Sequence, residues 1–583
     1  MLDRESLRVV EIDLAARHYT VKERPDLRVY LGGVGLATAL FAETADRGLA
    51  PLAPSQPVVL AIGPLTTVFP LATKTVAVFR SPLTGEWGES YAGMRLAFAL
   101  RFAGYDAVVI TGRAENPTYL VLSPGGVAFR DARGLWGLSV DDTGRLLREW
   151  EPGRGHRSII RIGPAGERGV AFAGVNVDTF RHFGRLGLGA VFGSKNLKAV
   201  VVHGELSYPI RDPRAYREAY GEIYERVVHT DILRKYHGLG TPANVSVLNG
   251  LGALPTRNLQ ASSFEKAAAI SGEAFAAEKL TRKLACTGCP VGCIHIALLR
   301  RQFAPDYEYE SVTLAYDYEL IYALGSLLGI GDPDDILRLI EKVELLGLDA
   351  ITTGVLLAWA TEACAGGLLP REELGADPSF GGTAGYLAAI ENLVTQPNDL
   401  YRTLARGLAA AVRRYGGEDF ALLLGGHEMA GYHTGYGYLL GHAVGARHSH
   451  LCNDGYGIDQ KLRGNPDPDA VVRHLLAEEC WRNVLNSLCI CLFARGVYDP
   501  PTTVRALRSL GLEWDEGALR RLGREILKLK VRLKSEMGFN YRAIRFARRF
   551  FETPALGRYL DPETARALLA RYCRALDDLL THS

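Results

Sequence analysis

Cys286-Thr-Gly-Cys289-Pro-Val-Gly-Cys293 is the densest concentration of potential chemistry in the chain. Three thiolates spaced by two and three residues can wrap one metal centre, and Gly288 and Gly292 permit the tight loop this requires. Backbone amides freed by such turns can donate to the sulfurs and tune a redox potential. Three ligands leave the centre incomplete. Cys489 and Cys491, in Asn486-Ser-Leu-Cys-Ile-Cys-Leu-Phe493, are both candidates for the fourth. The triplet alone is compatible with structural zinc or an iron–sulfur cluster, although zinc ribbons usually draw ligands from two local pairs, which this chain does not clearly supply. Cys364, Cys452, Cys480 and Cys573 read as small buried hydrophobes.

Three further segments combine glycine with basic residues. They are Leu31-Gly-Gly-Val-Gly35, the stretch from Ser81 through Gly88 to Gly93, and Arg181-His-Phe-Gly-Arg-Leu-Gly-Leu-Gly-Ala-Val-Phe-Gly-Ser-Lys195. Glycine lets a backbone approach a phosphate or flat heterocycle, and Arg or Lys neutralises its charge. The third segment lacks dinucleotide-fingerprint spacing. One such loop is ordinarily a set of turns; three in one region point to an extended, phosphate-bearing cofactor. The densest polar patch is Arg447-His-Ser-His-Leu-Cys-Asn-Asp-Gly-Tyr456, where paired histidines beside an arginine suggest an active site. His427, His433 and His442 read as supporting or core residues.

Positioning these groups requires a large scaffold. The 583 residues exceed one ordinary core and predict two or three domains. Short apolar runs bounded by turn formers, such as 58–62, 76–79, 107–110, 170–172 and 199–202, read as strands. From Asp212 onward the period becomes helical. Over 332–346, Asp332 can cap, Pro333 suits the first turn, Ile336, Leu339, Ile340, Val343 and Leu346 share a face, and Gly347 can terminate. The predicted class is α+β: a β-rich cofactor-binding domain over 1–208, then largely helical domains over 209–415 and 416–583. The first helical domain carries the cysteine loop. The second carries the fourth cysteine and the histidine patch. Hydrophobic residues at 48%, charged residues at 23% and a net charge of +2 describe a folded protein without global attraction to nucleic acid or anionic membrane. The opening residues lack a secretory apolar run, and no segment is long and apolar enough to insert in a membrane. A cytoplasmic location, where thiols stay reduced, is expected.

Taken in order, Gly63-Pro-Leu-Thr, Ser81-Pro-Leu-Thr-Gly85, Phe102-Ala-Gly-Tyr-Asp106, Gly163-Pro-Ala-Gly-Glu-Arg168, Gly184 through Lys198 and the cysteine triplet resemble the aldehyde:ferredoxin oxidoreductase family from about Tyr30 to Phe539. The resemblance implies tungsten (occasionally molybdenum) held by two pterins, with Mg2+ bridging their phosphates and a [4Fe–4S] cluster alongside. Its cluster ligands would be Cys286, Cys289, Cys293 and Cys491. The family motifs map onto Glu344-Leu-Leu-Gly-Leu-Asp349 and Asn486-Ser-Leu-Cys-Ile-Cys491. They imply pterin contacts from Glu344, Asp349, Asn486 and backbone near Leu348 and Ile490. Glu344 and Asn486 replace the family's aspartates, and Cys489 its glycine. Lys74 stands where an arginine is usual near a phosphate. Arg181 and Arg185 match basic positions, and the segment Tyr91, Ala92 and Gly93 faces the cofactor. Carbonyls of Tyr91 and His182 would bind Mg2+. Near the metal, the resemblance selects Glu310 and His450, with His448 as runner-up, for proton handling.

The activity implied is oxidation of a small aldehyde to a carboxylic acid, with electrons leaving singly through the cluster to ferredoxin or another one-electron carrier. Homodimerisation or association with electron-transfer subunits is a family expectation. The histidine patch also resembles the metal-bearing subunit of benzoyl-CoA reductases, which reduce an aromatic ring at low potential. A zinc- or cluster-stabilised, non-catalytic binding protein is the alternative from another class.

Overall fold

The computed structural model describes residues 6–581, apart from 306–307, 376–378 and 462–466. The first two hundred residues form two six-stranded sheets. Strands β1 (Leu7–Asp13), β2 (His18–Arg24), β3 (Val58–Ala61), β4 (Thr75–Arg80), β5 (Trp87–Ala92) and β6 (Ala107–Thr111) build the first, in the order β2-β1-β6-β3-β4-β5. Strands β7 (Thr118–Ser123), β8 (Gly126–Asp131), β9 (His156–Arg161), β10 (Val175–Val177), β11 (Arg181–Phe183) and β12 (Leu197–Gly204) build the second, ordered β11-β10-β9-β12-β7-β8. Only the β1/β6 and β7/β12 pairs are parallel among these ladders.

Side-chain alternation decides what each face meets. Val58, Leu60, Ala77, Phe79, Val108 and Ile110 join Leu120, Leu122, Ile160, Val200 and Val202 in one core between the sheets. Their neighbours Val59, Ala61, Val76, Val78 and Val109 point the other way, into a core shared with Val34, Leu36, Val484, Leu488 and Ile526. The first sheet is therefore apolar on both faces, and chain from the far end of the sequence covers the second one.

Four of the five predicted strands form where expected. Val170–Phe172 does not. Here the chain turns, Ala171 N–H donates to Ala405 O (2.8 Å), and Ala173 makes an isolated bridge to Leu348. Tertiary contacts replace the ladder that its apolar sequence suggested. The helix over Pro333–Leu346 has the anticipated ends: Asp332 accepts from Asp334 N and Asp335 N, and Gly347 closes it at φ +78°. A three-stranded sheet of β13 (Leu280–Leu284), β14 (Ile294–Ala304) and β15 (Glu308–Tyr316) interrupts the helical part. One continuous apolar core includes Leu356, Leu404 and Leu408 on one side of residue 415 and Leu424, Leu440 and Leu475 on the other.

The helix Gly33–Thr44 sits directly on the backbone of 486–488. A Cβ at Gly33 (φ +41°) would meet Asn486 O at 2.3 Å, and one at Gly63 would meet Leu488 C and O at 2.3 Å. The first glycine loop thus serves close backbone approach. Gly63→Ala is expected to destabilise the protein by about 1–3 kcal/mol, the usual cost of overpacking. A fall in unfolding midpoint in a thermal or denaturant scan checks it; an unchanged midpoint would show that the 486–488 segment moves aside freely.

Candidate active site

Three chain segments are laced together by backbone hydrogen bonds. Leu71 N–H donates to Gly288 O (3.3 Å), Cys491 N–H to Leu71 O (2.8 Å), and Lys74 N–H to Cys489 O (3.1 Å). Thr287 N–H also donates to Met94 O (3.2 Å). Gly288 and Gly292 take left-handed conformations, φ +76° and +62°, as a tight thiol loop requires. Cys286, Cys289, Cys293 and Cys491 consequently line a single cavity of about 520 Å³ between the sheets and the helical part. Cys489 does not line it: fully buried, its thiol points to Ala61 O at 3.8 Å. Burial, then the neighbouring Cys491, pushes the Cys289 thiol up to about 12. Such thiols stay ionised only beside compensating positive charge. Among the described residues, no three Cys, His, Asp or Glu side chains gather tightly enough for one metal ion. The four thiols are shared parts of one cavity lining.

Most of the expected cofactor-binding residues line the same cavity: Lys74, Tyr91, Arg181, His182, Arg185, Glu344, Leu348, Asp349, Asn486 and Ile490. Strand β11 and the turn after it present Arg181, His182 and Arg185, so the third glycine segment supplies the site directly. Arg181 Nη2 approaches Cys293 Sγ at 4.0 Å, His182 Nε2 pairs with Glu344 at 2.6 Å, and Arg185 Nε donates to Asp349 at 3.3 Å. Ala92 and Gly93 do not line the cavity but pack behind it. A Cβ at Gly93 would stand 2.6 Å from Cys286 Sγ and 3.4 Å from Lys74 Nζ, so the glycine makes room for the sulfur. The second glycine loop is the β4–β5 turn, held by Ser81 Oγ accepting from Leu83 N and Thr84 N.

Two of the expected proton-handling residues lie elsewhere. Glu310 is on β15, opposite Arg301 in register and ion-paired with it, its side chain 44% exposed. The hairpin carries it away from the cavity. Asp306, in the same acidic stretch, lies outside the described residues. His448 is buried behind the site, where its Nε2 lies 2.7 Å from Glu86 and 2.9 Å from Lys534 Nζ, within a packed charge network. His450 does line the cavity.

Its partner is Glu319. Just after β15, Asp317 caps the helix Tyr318–Leu324, placing Glu319 in the first turn. Tyr432 Oη donates to Glu319 Oε1 (2.9 Å), and His450 Nε2 lies 3.5 Å from the same oxygen. Burial works to raise the Glu319 pKa, but the His450 hydrogen bond and Tyr432 outweigh it and hold the carboxyl below its usual range. Burial chiefly, then the charge of Glu319, raises Asp317 to about 6. Burial also lowers the His450 pKa. At neutral pH Glu319 is therefore a carboxylate, free to accept a proton, with His450 beside it as its hydrogen-bonding partner. The sequence held a signal for this: Tyr316-Asp-Tyr-Glu319 nearly repeats Tyr307-Glu-Tyr-Glu310, but only the second copy opens a helical apolar pattern.

Comparisons with known proteins agree with this architecture. The profile described as "Aldehyde ferredoxin oxidoreductase, N-terminal domain" matches residues 9–204, and that for domains 2 and 3 of the same enzyme matches 218–577. The chain is similar to the tungsten-containing aldehyde ferredoxin oxidoreductase of Pyrococcus furiosus, 33% identical over 87% of this chain and 84% of that protein. It is also similar to the Thermococcus kodakarensis enzyme of the same name, 34% identical over 83% of this chain and 81% of that protein. In fold it resembles the BamBC active-site complex of benzoyl-coenzyme A reductase, with TM-score 0.83 and 21% identity over 98% of this chain and 96% of that one. The matching profiles and relatives are those of an oxidoreductase. The chain belongs to the aldehyde ferredoxin oxidoreductase family. No helix among the described residues is long and apolar enough to cross a membrane.

Glu319→Gln should lower kcat by about 10²–10⁴-fold, the usual contribution of a general base, whereas Glu310→Gln should stay within about twofold of the parent, as expected for an exposed ion pair. Steady-state assays with a viologen dye as acceptor distinguish the two. Protonating Asp317 as pH falls removes a negative charge beside Glu319 and weakens it as a base. The kcat–pH profile should therefore show an acid limb setting in near 6, which Asp317→Asn removes or displaces. An unmoved limb in that variant would contradict the coupling.

Proposed function

We propose that the protein oxidises aldehydes to carboxylic acids at tungsten (or molybdenum) held by two pterins, and delivers the electrons through a [4Fe–4S] cluster to ferredoxin or a similar one-electron carrier. The observation that carries this reading is the opening of four thiols, from loops about two hundred positions apart, onto the cavity that also holds Glu319 and His450.

The residues fit such a cofactor. Arg185 Nη1, His427 Nε2 and His450 Nδ1 are buried at this cavity without a hydrogen-bond partner among the described residues, which is costly unless a polar ligand meets them. The Gly93 hollow admits a sulfur that any side chain would displace. Lys74 and Arg181 supply positive charge beside the thiols and for phosphate groups. Glu344, Asp349 and Asn486, with backbone at Leu348 and Ile490, would hydrogen-bond the pterin rings. Carbonyls of Tyr91 and His182 would suit Mg2+, a hard cation. The bound tungstopterin supplies two-electron oxidation and the cluster a one-electron exit.

The protein's own part is proton handling and positioning. Glu319 accepts the proton released as the aldehyde carbon gains its oxygen. Tyr432 fixes the Glu319 carboxylate, and His450 holds it ionised. Tyr432 and Tyr456 stack with ring centroids 5.0 Å apart and wall off water on one side.

Anaerobically purified protein is expected to contain four irons and one tungsten or molybdenum with pterin per chain, and to reduce viologen with members of an aldehyde panel. Cys491→Ser should lose the reduced-cluster electron paramagnetic resonance signal that Cys489→Ala keeps. Zinc without pterin, or the reverse pattern in the two variants, would defeat the proposal.

A further inference from the structure

The cavity opens to solvent beside Val247 and Leu451, which line it while remaining 54% and 36% exposed. Two cations stand on this side: Lys235, in the segment Leu233–His237, and Arg495, just after Leu492–Ala494. Their neighbours Tyr236 and Phe493 stack face to face, centroids 3.8 Å apart and planes within 5°, which fixes the two segments against each other. Lys235 Nζ lies 5.6 Å from the Tyr236 ring centroid. Arg495 Nη1 donates to Leu492 O at 3.0 Å. Tyr456 continues the wall inward, its ring 6.1 Å from that of His450. A path of side chains therefore leads from the proton-handling pair through Tyr456 to the two cations.

Charge near the mouth is unbalanced. Partial burial and the like charge of Arg495 both lower the proton affinity of Lys235. Burial works to lower the proton affinity of Arg495, but Tyr456, Tyr236 (also its hydrogen-bond partner) and Asp454 outweigh it and raise it. Asp454, however, already serves Arg482 (3.6 Å), His474 (3.6 Å) and Lys461 (3.8 Å). Among the described residues no carboxylate forms an ion pair with Lys235 or Arg495. Two like charges held together beside an apolar, aromatic wall are satisfied by an anion placed between them.

We propose that Lys235 and Arg495 receive an anionic group of the substrate, so that the preferred aldehyde carries a carboxylate, phosphate or sulfonate at the end remote from its carbonyl. The aldehyde enters carbonyl first toward Glu319 and His450, with its charged end held at the mouth. This rests on the aldehyde-oxidation reading above.

The test compares substrates matched in length on the anaerobically purified holoenzyme with viologen as acceptor: butanal against 4-oxobutanoate, and glyceraldehyde against its 3-phosphate. The anionic member of at least one pair should show at least a tenfold higher kcat/KM, and which pair does so identifies the anion. Lys235→Gln and Arg495→Gln should each reduce that ratio about tenfold, mainly through KM, and Arg495→Lys should restore most of it. Equal ratios in parent and variants would overturn the proposal. So would an effect confined to the KM of an acidic protein electron carrier, which would make the cations a docking patch. Should no aldehyde turn over, the oxidation reading fails by itself, and calorimetry decides the anion site separately. Succinate should then bind the parent more tightly than butyrate, an advantage lost in Lys235→Gln; equal binding overturns the site.

Discussion

The site depends on a backbone interaction rather than on any side chain. Leu71 joins the two cysteine segments: its N–H donates to Gly288 and its carbonyl accepts from Cys491. The strand-linking segment that precedes β4 thereby clamps the thiol loop to the turn carrying the fourth sulfur. Lys74 extends the clamp through Cys489 O, and its side chain then faces the same thiols. Because these bonds use main-chain groups, they do not depend on the side chains of Cys489 and Lys74.

Burial of the second face of the first sheet makes this convergence possible. Chain from 484–488 and the helix Glu516–Glu536 closes over Val59, Val76 and Val109, carrying Asn486 and Cys491 with it. Beneath the cavity, Glu86 pairs with Lys534 and Glu89 with Lys530, each at 2.7 Å. Arg447 Nε lies 3.9 Å from Glu89, its guanidinium over the Tyr91 ring at 4.7 Å. Buried opposite charges of this kind position elements more than they stabilise them. Here they tie the helix Glu516–Glu536 to β5, to the residue just before that strand and to the histidine loop. His448 belongs to this scaffold, while His450, two residues on, faces the cavity.

Sequence reasoning brought residues to one place where short-range spacing carries them. The cysteine triplet, the Arg181–Arg185 segment and the paired motifs ending at Asp349 and Cys491 are local patterns, and all line the cavity. It erred where placement depends on distant packing. Glu310 and Glu319 sit in nearly identical local sequence, and only the length of the β14–β15 hairpin decides which reaches the site. Val170–Phe172 has strand composition but meets loop backbone rather than a neighbouring strand. Glu86 and Glu89 lie in the second glycine segment, where nothing local reveals that Lys530 and Lys534 arrive from more than four hundred positions away. The cations at the mouth lie in unremarkable sequence and emerge only once Tyr236 stacks on Phe493.

The central claim is that the four thiols facing this cavity hold one iron cluster beside the cofactor space. Anomalous diffraction at the iron edge from crystals grown without oxygen tests it most directly. The account predicts four iron peaks in one compact group, bonded to Cys286, Cys289, Cys293 and Cys491. A single zinc peak, or iron bound to Cys489 with Cys491 turned away, would contradict it.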